Sequence, residues 1–331
     1  MRKQFQKLFV MAMTCLILTV TIPIYTSANA STAENFDFKH EQFIAPPKTG
    51  FENLYNRTVL SKHTPHHNGY DLILSMNDAQ YIDGKFQYGD FRKDLEGEWV
   101  SIYTWDLSNS NSTWEPLGRA KTDSDGRIHY IIPEENKLRP GLHLIKLYVE
   151  GDGTEANMYL RISDNTIKSV VFDIDGTLTI NDWEGVHGYL DELWNGTYNP
   201  KMYTGANDVV RYYANKGYEI QYTTARPYWL TEQTQKWLQK NGFPRGNLHT
   251  YSGAGILLGK KVATYKSQYL QYMTSKGVQL DYAYGNATTD IDAYFNAGIV
   301  SNHVFIIGPN AGLKGSMPIT NYPEHLNTLP R

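Results

Sequence analysis

The sequence has almost no cysteine, with Cys15 alone in 331 residues. A disulfide framework is therefore excluded, and stability has to come from apolar packing. A strong excess of either charge is also missing: 31 Lys and Arg stand against 34 Asp and Glu, a formal net of −3. Without a basic surplus, nucleic acid is excluded as the expected partner. After the first thirty residues there is no second long apolar run, so no further bilayer span is expected. What remains is a chain of ordinary apolar and charged content, long enough for two domains with real cores.

Residues 1–30 read as a secretory signal. Arg2, Lys3 and Lys7 make a basic start, Leu8 to Tyr25 is mostly apolar, and Ala28-Asn29-Ala30 is a small-x-small site, with cleavage expected after Ala30. The apolar run approaches the ~18 residues of a membrane anchor, which is the alternative. Cys15 lies inside this segment, and the bulky Thr14 before it makes a poor lipoprotein box. The mature chain would have no thiol, and its 28 Lys and Arg would face 34 Asp and Glu. Export without disulfides points to a secreted bacterial protein.

Three further segments follow. Residues 31–69 have little periodicity and carry the breakers "APPKTG" and "HTPHHNG", so they read as an irregular lead-in or linker. The cluster His63, His66 and His67 reads as a polar loop, since no Cys or acidic ligand stands at matching spacing. Residues 70–164 hold short β-rich runs, among them "YDLILSM", "EWVSIYTW", "GRIHYII" and "GLHLIKLYVEG", punctuated by "SDG", "RPG" and "GDG". That pattern predicts an immunoglobulin-like antiparallel β-sandwich of about seven strands. Residues 165–331 alternate strand and helix: "SVVFDI", "GANDVVRYYANKG", "YEIQYTT", a helix face of Leu230, Thr234, Trp237 and Leu238, "HTYSG", a helix with Val262, Tyr265, Tyr269, Leu270 and Met273, "VQLDYAYGN", "TTDIDAYFNAG" and "HVFIIG". The alternation predicts a doubly wound parallel sheet that binds ligands at the carboxyl ends of its strands.

The stretch "VVFDIDGTLT" (170–179) places Asp173 and Asp175 at such an end. A calcium loop is disfavoured: counting from Asp173, position twelve is Glu184, but the fifth position has no acidic or Asn residue and a strand precedes the loop. Two like charges this close are most simply reconciled by a divalent cation between them and a phosphate. One carboxylate then attacks phosphorus while the other handles protons.

"DIDGTLT" resembles the first motif of the haloacid-dehalogenase superfamily of phosphatases, and three more motifs follow in order: "YTTAR", "GKKVATYK" and "GNATTD". The stretches "DVVRYYANKGYEIQYTTARP", "WLQKNGFPRGNL" and "YAYGNATTDIDAYFNAGI" are similar to lipins and to the C-terminal domain of the membrane-associated phosphatidylinositol transfer proteins, and "GLHLIKLYVEGDGTEANMYLRI" resembles the β-rich segment before that domain. The resemblance implies a haloacid-dehalogenase-like domain with Asp173 as nucleophile, Asp175 as acid and base, Thr224 bonding the phosphoryl group, and Lys261, chosen because it opens its helix, as the stabilising lysine with Lys266 second. It implies Mg²⁺ held by Asp173, Asp175 (through its backbone carbonyl), Asn286 and Asp290, and substrate contacts from Thr177, Ala225, Arg226 and Lys266. Asn286 stands where many members carry Asp, although lipins share the Asn. Arg226 reads equally as a headgroup contact or as half of a structural ion pair.

The implied activity is Mg²⁺-dependent hydrolysis of a phosphomonoester, with phosphatidate or a related lipid phosphate as substrate and a membrane surface as contact. The alternative is a non-catalytic phosphatidate-binding module. Between Leu178 and Thr224 no separate cap domain fits, so the site is expected to be open. The aromatics Trp183, Tyr189, Trp194, Tyr198 and Tyr203, with Leu190, are expected either at a lipid interface or packed over the sheet edge.

Overall fold

The computed structural model describes residues 34–180, 199–253 and 257–330. The segment read as an export signal lies outside them, as do Trp183, Tyr189, Leu190, Trp194 and Tyr198.

The β-rich part is a sandwich. Asn68–Gly69 (β1), Tyr81–Lys85 (β3) and Arg127–Ile131 (β8) form one sheet in the order β1-β3-β8. Leu72–Ser75 (β2), Trp99–Asp106 (β6), Glu115–Lys121 (β7), Gly141–Val149 (β9) and Glu155–Ser163 (β10) form the other in the order β2-β10-β9-β6-β7. Ile82 and Ile128 of the first sheet meet Val100, Ile102, Ile145 and Leu147 of the second in one buried cluster. The expected antiparallel pairing fails at one edge, where β2 runs parallel to β10 with Leu72 opposite Leu160. A short hairpin, Gln87–Tyr88 (β4) and Lys93–Asp94 (β5), stands apart from both sheets.

Before β1, the described part of the lead-in has a short helix, Leu54–Thr58 (α1), and single 3₁₀ turns, yet aromatic side chains fix it. Phe36 is buried against Tyr159 and Tyr222, and Phe51 meets Tyr88 edge-on at 6.2 Å inside the sandwich core. His67 is buried against Phe86 and Tyr88 and bonds the Thr154 hydroxyl at 2.8 Å.

The second domain is a six-stranded parallel sheet in the order β13-β12-β11-β14-β15-β16. Its elements run Ile167–Asp173 (β11), Ala206–Asn215 (α2), Glu219–Pro227 (β12), Thr231–Lys240 (α3), Asn247–Tyr251 (β13), Lys260–Ser275 (α4), Val278–Gly285 (β14), Thr288–Asn296 (α5), Val304–Ile307 (β15), Met317–Ile319 (β16) and Tyr322–Thr328 (α6). β11 is central and buried on both faces: Val170 and Phe172 pack with Val209 and Leu238, while Val171 packs with Leu270 and Ile291. The chain proceeds from β11 to β12 and β13 on one side and then returns to β14 on the other. This reversal leaves a crevice at the carboxyl end of β11, the place where such sheets bind ligands.

The two domains join through buried polar bonds as well as apolar contact. The Asp71 carboxylate accepts the backbone N–H of Tyr159 in β10 at 2.7 Å and that of Leu248 in edge strand β13 at 2.9 Å. Tyr272 donates to the Ile73 carbonyl at 2.7 Å, and Lys276 pairs with Asp78 at 2.9 Å.

Candidate active site

Four segments converge at the crevice. Asp173 is the last residue of β11, and the chain turns directly after it through Asp175, Gly176 and Thr177. Gly176 has a left-handed φ of 77°, and a Cβ there would lie 2.2 Å from the Asn286 amide, so only glycine lets this turn approach the β14–α5 loop. Thr177 Oγ1 donates to Asp173 Oδ2 at 3.0 Å and also stands 3.2 Å from Asn286 Oδ1.

Asp290 lies in the first turn of α5 and caps it, its Oδ2 accepting the N–H groups of Asn286 (3.1 Å) and Ala287 (3.0 Å). The other Asp290 oxygen accepts from Lys266 Nζ at 2.6 Å, and the same ammonium donates to Asp173 Oδ1 at 2.5 Å. Lys266 comes from the buried face of α4, with Val262 one turn before it and Leu270 one turn after.

The second carboxylate is held differently. Arg226, near the end of β12, donates through Nε and Nη2 to Asp175, the shortest contact being 2.6 Å, and Thr224 Oγ1 donates to Asp175 Oδ2 at 3.1 Å. Arg226 Nη1 is in turn received by Thr234 of α3 at 3.0 Å. Of the two readings of Arg226, the structure places it in a buried ion pair. Ala225 sits between these residues with its side chain in a small apolar cluster with Leu230, Leu257 and Val262.

Asp173, Asp175, Thr177, Thr224, Arg226, Lys266, Asn286 and Asp290 are thus gathered in one buried constellation. Lys261 is not among them. It is exposed in the first turn of α4, about 140° around the helix from Lys266. The choice of Lys261 as the lysine facing the nucleophile is therefore corrected to Lys266. The signal was present in the sequence: a lone lysine four residues after Val262 and four before Leu270 lies on the apolar stripe, so it must be buried and paired. Thr234 likewise sits on an apolar stripe, four residues after Leu230 and four before Leu238, whereas Tyr322, whose hydroxyl donates to the Thr177 carbonyl at 2.9 Å, had no comparable signal. Tyr203 is partly buried and packs against Tyr322 at 6.2 Å.

Three carboxylates here face two cations. Burial pushes the Asp173 carboxyl up to about 8; Lys266 pulls it down, and the charges of Asp290 and Asp175 push it further up. Burial also opposes the Lys266 charge, but the two carboxylates it touches hold it above the ordinary lysine range. With Arg226 committed to Asp175, the Asp173–Asp290 pair shares one ammonium, and once Asp173 is ionised the pair carries one negative charge in excess. A buried charge in excess is costly, and oxygen donors around it suit a hard divalent cation. The groups that would hold such a cation are Asp173, Asp290 and the Asn286 side-chain oxygen, with the main-chain carbonyl of Asp175 as the ligand the motif implies. Among the described residues no three His, Cys, Asp or Glu side chains converge as a metal cage. Lys266 lies between two of the carboxylates and the third turns to Arg226, so the amide and the carbonyl complete the set. The donor set fits Mg²⁺.

Sheet order, crevice and buried charges define an α/β domain built on a parallel sheet behind a β-sandwich. Residues 65–162 match the family model of the PITM 1-3 beta-sandwich domain, and residues 170–308 match that of the PITM 1-3 LNS2 domain. In order along the chain, these matches are to a β-sandwich domain followed by an LNS2 domain. It is 30% identical over 244 residues to the Protein retinal degeneration B of Drosophila melanogaster, covering 73% of this chain and 18% of that protein. It is also 30% identical over 266 residues to human Membrane-associated phosphatidylinositol transfer protein 3, covering 80% of this chain and 26% of that protein. The chain therefore spans about a fifth to a quarter of the length of these relatives. A solved phosphoserine phosphatase, a phospho-aspartyl intermediate analogue, aligns at a TM-score of 0.34 and 16% identity over 50% of this chain and 100% of that one.

These relatives overturn the localisation expected from residues 1–30. They are eukaryotic proteins, the human one named as membrane-associated, not secreted bacterial ones, and the presumed signal lies outside the described residues. Among the described residues no helix is long and apolar enough to cross a membrane.

Proposed function

We propose that this chain hydrolyses a phosphomonoester through an aspartyl-phosphate on Asp173, with Mg²⁺ as cofactor and phosphatidate or a related lipid phosphate as substrate. The observation that carries the reading is the Asp173 carboxylate itself, which stands at the end of the central strand between the Lys266 ammonium and the Thr177 hydroxyl. Asp173 attacks phosphorus, the bond from phosphorus to the ester oxygen breaks, and Asp175 gives its proton to the departing alkoxide. The Asp175 carboxylate then takes a proton from water. That water attacks the aspartyl-phosphate, releasing inorganic phosphate and restoring Asp173. Lys266 and Thr224 stabilise the charge that spreads over the phosphoryl oxygens. Mg²⁺, when bound by the donors named above, neutralises the phosphate so that a carboxylate can approach it. The lipid assignment is supported by the motifs that resemble those of lipins and by the human relative, whose name describes phosphatidylinositol transfer.

One observation favours the second reading, a phosphatidate-binding module without turnover. Both oxygens of Asp175 are engaged by Arg226 and Thr224, so the acid has to be freed before it serves a leaving group. The test is release of inorganic phosphate from phosphatidate in mixed micelles, from lysophosphatidate and from small sugar phosphates, with Mg²⁺ or with a chelator. The expected result is Mg²⁺-dependent release with the highest kcat/KM on the micellar lipids and none from Asp173→Asn. Micelle binding without phosphate release would replace the enzyme reading with the binding one. A preference for a soluble ester, unaffected by micelles, would reject the lipid and keep the phosphatase.

A further inference from the structure

The core of the sandwich ends in polar residues. Along β6 the side chains that face the opposite sheet are those of Val100, Ile102, Thr104 and Asp106, and on neighbouring β9 Leu147, Ile145 and His143 stand opposite the last three. Opposed residues share a face of the sheet, so a lane that begins apolar finishes with Thr104, Asp106 and His143. Glu115 of β7 stands opposite Thr104 on its other side. Here a cleft of about 330 Å³ opens, lined by these four residues and by the segment 135–139 after β8. That volume falls within the ~300–1,000 Å³ of small-molecule sites.

Two buried groups in the lining have no hydrogen-bond partner among the described residues, the Thr104 hydroxyl and His143 Nδ1. His143 is only 3% exposed. Its Nε2 lies 2.8 Å from the Arg139 carbonyl, which can only accept, so Nε2 carries the proton. Burial holds the ring below the ordinary histidine range, which leaves it neutral with a bare lone pair on Nδ1. An unanswered buried acceptor is costly, and folded proteins keep few of them. The walls are braced in advance. Buried Gln80 clamps Leu138, accepting its N–H at 2.7 Å and donating to its carbonyl at 2.9 Å. The turn after β6 is tied by Asp106 N–H to Ser112 Oγ at 2.9 Å and by Ser108 N–H to Asp106 Oδ1 at 2.8 Å.

We propose that this cleft binds a neutral polyhydroxylated ligand, a sugar ring, with one ligand hydroxyl donating to His143 Nδ1 and another bonding the Thr104 hydroxyl. The charges of the lining select this class. Asp106, Glu115 and Glu135 are acidic, whereas Lys137 and Arg139 are basic, and Lys137 is already paired with Glu134 at 2.9 Å. An anion would face three carboxylates, and a cation would share the cleft with Lys137 and Arg139. A hydroxyl both donates and accepts, so it serves either kind of group. The amides of Asn111 and Asn136 at the exposed rim offer both functions as well. This site belongs to the sandwich alone and does not depend on the phosphatase reading.

The experiment is saturation-transfer difference NMR on the full chain with the methyl glycosides of glucose, galactose, mannose and N-acetylglucosamine, and with putrescine as the cationic rival. The glycoside that binds best is then titrated while the imidazole nitrogen signals are recorded. The expected result is transfer to at least one glycoside and a shift of the His143 Nδ1 signal as its lone pair gains a donor. His143→Leu should weaken binding about tenfold or more, because it removes the acceptor and keeps an apolar side chain in its place. Glu115→Gln, at an exposed position where substitution disturbs the fold little, should weaken it by a smaller factor. Where His143→Leu fails to fold, Glu115→Gln and the Nδ1 shift decide. No transfer to any glycoside overturns the proposal and assigns the cleft to water. Transfer that leaves Nδ1 unmoved, or that both folded variants retain in full, overturns it too. Binding of putrescine without any glycoside assigns the cleft to an organic cation and overturns the sugar.

Discussion

Two buried carboxylates, Asp173 at the catalytic end of the sheet and Asp71 at the junction of the domains, have opposite settings. Burial raises both, Asp173 to about 8 and Asp71 to about 7. Asp71 is answered by two backbone N–H groups fixed by strands of different domains, and these bonds pull its pKa back down. Asp173 is answered by a lysine it must share with Asp290, beside a third carboxylate. The first arrangement is complete in itself and joins two domains. The second has more negative charge than its cations cover, and it lies in the crevice where a ligand binds. Perturbation by burial alone thus does not mark a functional group; an unbalanced set of partners does.

The comparison is tested most severely at Arg226. Arg226→Ala leaves the Asp175 charge buried and unpaired, which should cost about 3–5 kcal/mol of stability, measured by urea unfolding. Lys266→Ala should reduce turnover of a soluble phosphomonoester by roughly 10²–10³-fold in protein shown by circular dichroism to be folded, as loss of one preorganised stabiliser does. Asp71→Ala should do the converse, keeping turnover while losing about 1–3 kcal/mol, because two N–H groups are stripped of their acceptor.

Asp71→Asn isolates the pH dependence. A carboxyl raised by folding binds a proton in the native state that the unfolded chain has already lost, so its stabilising effect is full below pH 3.8 and fades up to about pH 7. The stability of the wild type relative to Asp71→Asn should therefore rise as pH falls from about 7 to about 4. Buried His67, His249 and His325, lowered mainly by burial to about 3, 3 and 4, act oppositely in both proteins, losing stability as pH falls below 6.5, and cancel in the difference. The smallest effect is expected for Lys261→Ala, which should alter stability by no more than ~0.5 kcal/mol and soluble turnover far less than Lys266→Ala does. The reverse order of the two lysines in matched kinetics would undo the placement of Lys266.

Much of the site was legible because its motifs are local. "DIDGTLT" has to turn at Gly176, and "YTTAR" and "GNATTD" each stand at the end of a strand in the alternating strand–helix pattern. The lysine was misread because proximity to the helix start was weighed above the helical period. Long-range facts had no local trace: nothing near Asp71 marks it as the acceptor for Leu248, 177 residues away. Phe36 and Phe51 sit in a stretch without periodicity, so their burial in two different cores could not be read from spacing. The parallel edge between β2 and β10 escaped for the same reason, since alternation records which face is buried and not the direction of the neighbouring strand. The last strand and helix, β16 and α6, went unread because three residues are too few to show a period and the helix has only seven.

The account depends above all on Asp173 accepting the phosphoryl group. Protein mixed with excess phosphomonoester and Mg²⁺, quenched in acid during turnover and digested, can be searched by mass spectrometry for the peptide spanning residues 170–179. The prediction is a phosphoryl adduct on Asp173 that disappears in Asp173→Asn and accumulates in Asp175→Asn, where water is no longer activated. Phosphate release by the wild type with no adduct on that peptide, or turnover persisting in Asp173→Asn, would contradict it.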